Sequence, residues 1–330
     1  MIKNKSVPFR LRFFVVKIFK FCYYDFILKK EKGGIFLKNK ALFSLIASML
    51  IFGTIGLFRR YIPLSSGLIA FSRGIIGFLF LIVFVKLSKK PFSFKNAGGK
   101  TGFLCLSGAL MGFNWILLFE AYNFTSVATA TLCYYMAPVF VILASPFLFG
   151  EKLTKKKALC VFGAFLGMVF VSGFAEGISF GAGELKGVLL GLSAAVLYAS
   201  VVLMNKKTEA VPPFEKTVIQ LGSSAAVLLP YTLFIEKAEV SGISGKAILM
   251  LLVVGIVHTG IAYALYFGSI GSLPAQTTAI FSYIDPVTAI FLSAVFLEEK
   301  LGFFGAAGAF LILGSAFLSE TEIKIKKKRV

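Results

Sequence analysis

The sequence predicts an all-α integral membrane protein in which ten transmembrane helices form two inverted five-helix repeats. Three observations support this fold class. Hydrophobic residues make up 58% of the 330 residues and charged residues only 15%, whereas soluble domains carry about 25% charge. Lys and Arg are concentrated in alternate loops between apolar segments, and the second half of the chain repeats a pattern found in the first half.

Ten apolar segments are long enough to cross a bilayer, which requires roughly 20 helical residues. Backbone groups in hydrocarbon must be hydrogen-bonded within the span, which favours helices. A β-barrel is disfavoured because its strands alternate polar and apolar positions, while segments such as 185–204 are apolar on all sides. The predicted spans are 41–58, 64–85, 101–120, 125–149, 157–174, 187–204, 217–235, 247–267, 274–297 and 302–319.

The distribution of basic residues predicts the orientation in the membrane. With a cytoplasmic amino terminus, 28 Lys and Arg fall on the cytoplasmic side and 6, including Arg59, Arg60 and Lys186, fall outside. By the positive-inside rule, this division places both termini in the cytoplasm and requires an even number of spans. The formal charge of +20 is therefore attributed to topology in the cell membrane, and we expect no nucleic-acid partner.

An internal repeat relates the two halves with an offset of 148 residues. It aligns Tyr135 with Tyr283, Pro138 with Pro286, and Glu151 with Glu299. Each half has an odd number of spans, so the second half is expected to enter the membrane in the opposite sense, an arrangement suited to alternating access. The predicted organisation is a basic cytoplasmic segment at 1–40, repeats at 41–175 and 187–319, and a basic cytoplasmic tail at 320–330.

The stretch from Thr259 to Leu301 resembles the second repeat of EamA-type transporters of the drug/metabolite transporter superfamily. The first half carries the matching pattern in Gly53, Arg73, Asn114, Ala121-Tyr122, Pro138 and Gly150-Glu151-Lys152-Leu153. The resemblance covers about 41–319 and implies a ten-helix bundle that moves small polar metabolites, often amino acids and commonly outward, through a central cavity. One departure is that Asp285 in the second half corresponds to Ala137 in the first.

Two charged residues inside predicted spans are candidates for substrate binding. Arg73 lies near the middle of the second span, where an unpaired guanidinium costs at least about 2.5–3.5 kcal/mol. It can clamp a substrate carboxylate, or it can be fixed by Asp285 or by backbone carbonyls. Asp285 can accept a substrate ammonium group, couple transport to protons, or serve only as a polar partner for a broken helical turn.

The paired prolines Pro138 and Pro286 predict helix interruptions at equivalent positions, which are the best sequence indication of a transporter binding site. Polar and aromatic residues expected near this cavity are Asn114, Trp115, Tyr134, Tyr135, Thr277, Ser282 and Tyr283. Each can equally be an interhelical contact. His258, the single histidine, can relay a proton or be a neutral imidazole bonded to a carbonyl. Glu151 and Glu299 are candidates for ion pairs that close loops or gates.

The remaining motifs exclude several function classes. The four cysteines and one histidine form no close cluster, so no metal, disulfide framework or cofactor is predicted. Walker, dinucleotide-binding and nucleophile-elbow motifs are lacking, which disfavours ATP-driven pumping and enzymatic activity. The main expectation is a secondary transporter in the lipid bilayer, with protons as a candidate coupling ion. The alternatives are an exchanger for an adenosyl or nucleotide compound and an intramembrane enzyme or lipid-handling protein. Monomer and homodimer stay open.

Overall fold

The computed structural model of the chain describes residues 34–87, 93–150, 153–171, 182–208, 210–236, 243–270, 281–299 and 302–320. Regular structure within these ranges is entirely helical. This agrees with the predicted fold class, because long apolar segments satisfy their own backbone hydrogen bonds only as helices.

The first half contains seven α-helices that follow the predicted spans. The second span is one uninterrupted helix, whereas the first and fourth spans are each divided into two. A short 3₁₀ segment, Phe94–Lys100, precedes the third span. The helices are α1 (Gly34–Gly53), α2 (Ile55–Arg60), α3 (Ser66–Leu87), α4 (Thr101–Phe124), α5 (Val127–Tyr134), α6 (Ala137–Phe149) and α7 (Lys155–Val171).

The second half contains six α-helices and two π-helical segments. One π-helical segment, Tyr231–Ile235, extends α9, and the other, Val254–Ile261, joins α10 to α11. The α-helices are α8 (Ala182–Lys207), α9 (Pro213–Pro230), α10 (Gly245–Val253), α11 (Ala262–Ile270), α12 (Ile284–Phe296) and α13 (Phe303–Glu320).

Seven helical segments in the described ranges are long and apolar enough to cross a membrane, and two shorter apolar helices lie at Ile284–Phe296 and Phe303–Ser315. Helical structure occurs in all ten predicted spans, while the ten-span topology itself stays a prediction. The first helix begins at Gly34, seven residues before the predicted start at position 41.

The main helix pairs in contact have equivalent pairs in which every helix is replaced by its counterpart from the other half. Helix α4 packs against α8, and the equivalent pair is α11 against α1. The contact between α4 and α9 likewise corresponds to that between α3 and the π-helical segment Val254–Ile261, while α7 and α13 pair with each other. This pattern is what a two-fold relation between the repeats requires.

Small residues allow the closest of these approaches. On α7, a β-carbon added at Gly167 would lie 2.8 Å from the Gly308 carbonyl oxygen on α13, and one added at Gly308 would lie 2.5 Å from the Gly167 carbonyl oxygen. Such close backbone approach through Gly is typical of helix pairs in membranes, where packing rather than hydrophobicity drives association.

Candidate functional site

The fourth and ninth spans are interrupted at the same position of the repeat. Helix α5 ends at Tyr134 and α6 begins at Ala137, so Tyr135 lies in the break with φ −75° and ψ 7°. Its equivalent, Tyr283, immediately precedes α12 with φ −71° and ψ −8°. The two breaks therefore have nearly the same backbone conformation, in a region of φ/ψ space often occupied by active-site residues.

The two prolines lie directly after the helix breaks. Pro138 occupies the first turn of α6, and Pro286 lies in the first turn of α12. Proline is tolerated there because the first turn of a helix has no intrahelical partner for its N–H groups. The breaks thus lie within three residues before Pro138 and Pro286, and each proline lies in the first turn of the helix that follows.

Asp285 lies in the first turn of α12, close to the break in the other half. The side chain of Tyr135 is a hydrogen-bond partner of the Asp285 carboxyl group. Asp285 is only partly buried. Its carboxyl oxygens are not among the buried polar atoms that lack a hydrogen-bond partner. The structure therefore brings together two predicted site residues, one from each repeat.

A group of tyrosines surrounds this carboxylate. Tyr134 packs against Tyr135 and Tyr198, with ring centroids 6.0 Å and 5.1 Å apart. Tyr122, Tyr134 and Tyr263 interact electrostatically with both Asp285 and Arg73. The two charged groups consequently share one tyrosine-rich region, which we call the tyrosine cluster (Tyr122, Tyr134, Tyr135, Tyr198 and Tyr263).

Arg73 is buried in this region but does not pair with Asp285, contrary to one of the predicted alternatives. Its Nε donates a hydrogen bond to Thr259 Oγ1 at 3.1 Å, and its guanidinium carbon lies 4.1 Å from the ring centroid of Trp115. In the described part of the chain, Nη1 and Nη2 have no hydrogen-bond partner, and both retain accessible surface. The edge of the guanidinium is therefore available to a ligand.

His258 connects the eighth span with the break between α1 and α2. Its Nε2 lies 2.7 Å from Thr54 Oγ1, and its Nδ1 lies 3.5 Å from the Val253 carbonyl oxygen. The imidazole packs edge-on against Phe58 at 4.9 Å and is 1% exposed. These contacts agree with the predicted buried imidazole near a carbonyl, and they add a link to the first span.

Asn114 and Trp115 are occupied by contacts within the bundle. Asn114 Nδ2 donates to the Ala194 carbonyl at 2.5 Å, and Asn114 Oδ1 accepts from the Tyr134 hydroxyl at 3.4 Å. Trp115 is buried and faces the Arg73 guanidinium. Asn114 therefore supports the tyrosine cluster, and the Trp115 ring stacks on Arg73.

Glu299 forms an ion pair, as was considered from the sequence, and its partner is Arg60. Arg60 Nη2 donates to Glu299 Oε1 at 2.9 Å and to the Thr125 carbonyl at 3.2 Å. Glu299 Oε2 accepts from the Val127 backbone N–H at 2.8 Å and also from the Ser293 hydroxyl. We call this arrangement the Arg60–Glu299 clasp. It joins α2, the start of α5 and the end of the ninth span.

Arg59 was expected in a loop, whereas it lies in a helix; its external side stays a prediction. It lies in α2 and is 7% exposed. Its Nη2 donates to Ser66 Oγ at 3.3 Å and to Asn123 Oδ1 at 3.2 Å, and Ser66 Oγ in turn donates to Glu120 Oε2 at 2.7 Å. Lys186, assigned to another external loop, is an exposed residue of α8.

Two further predicted residues, Ser282 and Tyr283, lie immediately before α12. Tyr283 is partly buried and packs edge-on against Phe317 at 6.3 Å, and Ser282 is a helical residue that directly precedes it. Thr277, Glu151, Lys152 and Lys300 lie outside the described residues. Within the described ranges, no group of three or more His, Cys, Asp or Glu side chains is placed to hold a metal ion.

Sequence reasoning missed Thr259, Tyr198 and Tyr263 as neighbours of the charged residues. Thr259 follows the single histidine directly and was noted only as the start of the stretch that carries the resemblance. The tyrosines come from the sixth and eighth spans, and only interactions between helices, such as the packing of Tyr198 against Tyr134, indicate their shared location.

Comparison with known proteins identifies the family. The family model "EamA-like transporter family" matches residues 39–173 and 185–321. "Uncharacterized transporter YxxF" of Bacillus subtilis is 31% identical over 86% of this chain and 90% of its own length. "Protein RarD" of Salmonella typhi is 26% identical over 73% of this chain and 80% of its own. A solved crystal structure shares the fold, with a TM-score of 0.60 and 22% identity over 86% of this chain and 97% of that one. With the family model matched twice along most of its length, the chain belongs to the EamA-like transporter family of the drug/metabolite transporter superfamily.

Proposed function

We propose that this transporter exports a small zwitterionic metabolite, an amino acid or a related compound, across the cell membrane by alternating access. The proposed topology has both termini in the cytoplasm, as the distribution of Lys and Arg predicts. The observation that carries the substrate class is the pair of opposite charges, Arg73 and Asp285, which share the tyrosine cluster without forming an ion pair.

The two charges suit the two ends of an amino acid. A guanidinium with free Nη1 and Nη2 can bind a carboxylate through two parallel hydrogen bonds. A carboxylate near tyrosine hydroxyls and ring faces can hold an ammonium group. Because unpaired charges within the membrane are costly, a bound zwitterion would compensate both of them at once.

The two helix breaks support alternating access. Each break divides a span at the same repeat position, beside Tyr135 or Tyr283. A hinge is usually a few residues at the end of an element that absorb backbone rotation. We propose that the tyrosine cluster is reached from either side as the two repeats move about these breaks.

Protons are the proposed coupling ion, and Asp285 is the proposed coupling residue. The residue is only partly buried, and in this proposal the opening of the site to either side allows its carboxyl group to exchange a proton with that side. His258 is the second candidate, although its burial and its contact with Thr54 also suit a structural role.

The experiment is flux of labelled metabolites in proteoliposomes of the purified protein, with and without an imposed pH gradient. The panel contains the standard L-amino acids, their decarboxylated amines, nucleotides and an adenosyl compound. We expect gradient-dependent movement of an amino acid and weaker movement of its amine. Movement of a nucleotide or adenosyl compound alone would favour the exchanger alternative, and chemical conversion without movement would favour an enzyme.

Asp285→Asn separates the two roles of the carboxylate. If Asp285 couples protons, the variant should lose gradient-driven accumulation and retain exchange of substrate across the membrane. Loss of both activities in a folded variant would instead indicate a direct substrate contact. Wild-type behaviour in both assays would exclude either role.

A further inference from the structure

The eighth span contains an unusual backbone segment beside Arg73. Residues Val254–Ile261 are π-helical, and this segment carries two adjacent buried polar residues, His258 and Thr259. Short π-helical segments are rare and are often found at functional sites. Thr259 is fully buried, so its hydroxyl must be satisfied by protein groups.

The Thr259 hydroxyl is bonded on both sides. It accepts the hydrogen bond from Arg73 Nε at 3.1 Å and donates to the Val254 carbonyl at 3.2 Å, five residues earlier. In an α-helix a threonine hydroxyl usually bonds the carbonyl three or four residues back. The wider π-helical turn therefore fixes the direction in which the Thr259 oxygen accepts.

Glycines bring this segment close to the second span. A β-carbon at Gly77, one turn after Arg73, would overlap the Thr259 side chain, and one at Gly255 would overlap the Ile76 side chain. Because hydrogens occupy these positions, the π-helical segment approaches α3 closely enough for the Thr259 hydroxyl to reach Arg73 Nε.

Arg73 is consequently held on two sides. Thr259 binds Nε, and the Trp115 ring covers one face of the guanidinium. The terminal amino groups are left for a ligand. At the equivalent positions of the other repeat, Arg73 and Thr259 correspond to Leu221 and Met111. The arginine–threonine arrangement is therefore not repeated in the other half.

We propose that Thr259 is a positioning residue that aims Nη1 and Nη2 of Arg73 at the substrate carboxylate, and that it thereby sets the preference for carboxylate-bearing substrates. This inference rests on the proposed function. Thr259 does not contact the substrate itself, and its effect passes through the orientation of the guanidinium.

The first test needs no substrate, because Trp115 is the single tryptophan of the chain and stacks on Arg73. Its fluorescence therefore reports on the guanidinium. We expect Thr259→Val to reproduce most of the change in emission caused by Arg73→Met, since both remove the oriented stack. Thr259→Ser keeps the hydroxyl and should match wild type. Thr232→Val is the matched control, because Thr232 is equally buried and bonds the Leu229 carbonyl in another span.

The second test compares the KM of an L-amino acid transported by the wild type with that of its decarboxylated amine. Thr259→Val should raise the KM for the amino acid about tenfold, the scale of one hydrogen bond to a charged group, and leave the KM of the amine and both maximal rates nearly unchanged. Thr259→Ser should restore the wild-type values.

The outcomes separate the two proposals. If Arg73→Met changes Trp115 emission and Thr259→Val does not, the positioning role is wrong whatever the substrate is. If neither variant changes the emission, the stacked arrangement on which the role depends is wrong. If Thr259→Val changes the emission but Arg73→Met weakens amino acid and amine equally, Thr259 positions Arg73 and the carboxylate clamp of the proposed function is wrong.

Discussion

Removing either partner of the Arg60–Glu299 clasp should shift the protein toward a state in which the bundle is open at the end where the clasp lies. The clasp joins α2 to the start of α5 and to the end of the ninth span, so these elements cannot separate while it is intact. Under alternating access, one end of the bundle must close while the other opens. The clasp lies at the end predicted to be external.

The contacts allow the two variants to be ranked. The Arg60 side chain is 35% exposed and that of Glu299 is 17% exposed, so solvent screens the ion pair and it contributes at most about 1 kcal/mol. Glu299 also accepts the Val127 N–H at the start of α5. Hydrogen bonds to charged groups contribute about 1.5–3 kcal/mol. We therefore expect about 0.5–1 kcal/mol for Arg60→Gln and about 1–2 kcal/mol for Glu299→Gln, in which a neutral acceptor remains.

These energies predict a measurable change in populations. One to two kcal/mol changes an equilibrium by a factor of about 5 to 30. Spin labels on cysteines replacing the exposed residues Lys246 and Val295, in a background without the native cysteines, would report the separation of α10 from α12. Glu299→Gln should increase the population at longer distances more than Arg60→Gln does.

Arg60→Lys keeps the charge and is the matched control, with a distance distribution close to that of the wild type. Higher ionic strength should act like a mild form of Arg60→Gln, because salt screens exposed pairs. Unchanged distances in both Gln variants would show that the clasp does not hold this end closed. A larger effect for Arg60→Gln than for Glu299→Gln would refute the energetic ranking.

Three further predictions concern stability and the site. Gly308→Ala should lower the melting temperature of the purified protein, since its β-carbon would meet the Gly167 carbonyl and overpacking costs about 1–3 kcal/mol. Gly314→Ala, in open space on the same helix, should be neutral or stabilising. Equal effects of the two substitutions would contradict the packing argument. Thr54→Val should destabilise the protein by about 1–3 kcal/mol, because buried His258 would lose its hydrogen-bond partner. Thr54→Ser keeps the hydroxyl and should leave the stability nearly unchanged. Denaturation curves of both variants test this prediction. Tyr135→Phe removes the hydroxyl beside Asp285 and should alter the pH dependence of transport while leaving the melting temperature nearly unchanged; an unaltered pH profile would argue against the contact.

The sequence was sufficient for the helices because the apolar segments are long and each has only one way to satisfy its backbone in a membrane. It was less informative about where helices begin. The first helix begins at Gly34, although residues up to 40 were predicted to precede the first span. Arg59 and Arg60 looked like loop residues because charge usually marks a span's end, yet both belong to α2 and one is buried.

The site was predicted in part for a similar reason. Arg73, Asp285 and the two breaks stand out because charge and proline are costly within a span. Their partners do not stand out. Thr259 and Tyr198 are ordinary residues of apolar helices, and their role depends on interhelical packing and on a π-helical turn. A helical period with 3.6 residues per turn cannot anticipate the direction of a side chain in such a turn.

The matching breaks at Tyr135 and Tyr283 also bear on how the chain arose. The same family model matches both halves, and both contain the break with nearly the same dihedral angles, which is the result expected if the break was present before a duplication. Asp285, Arg73 and Thr259 correspond to Ala137, Leu221 and Met111 in the other half, so the two halves share the break but not these side chains. Two repeats in one chain can therefore carry different side chains at equivalent positions, whereas two identical subunits would have to supply the same side chains on both sides of the site.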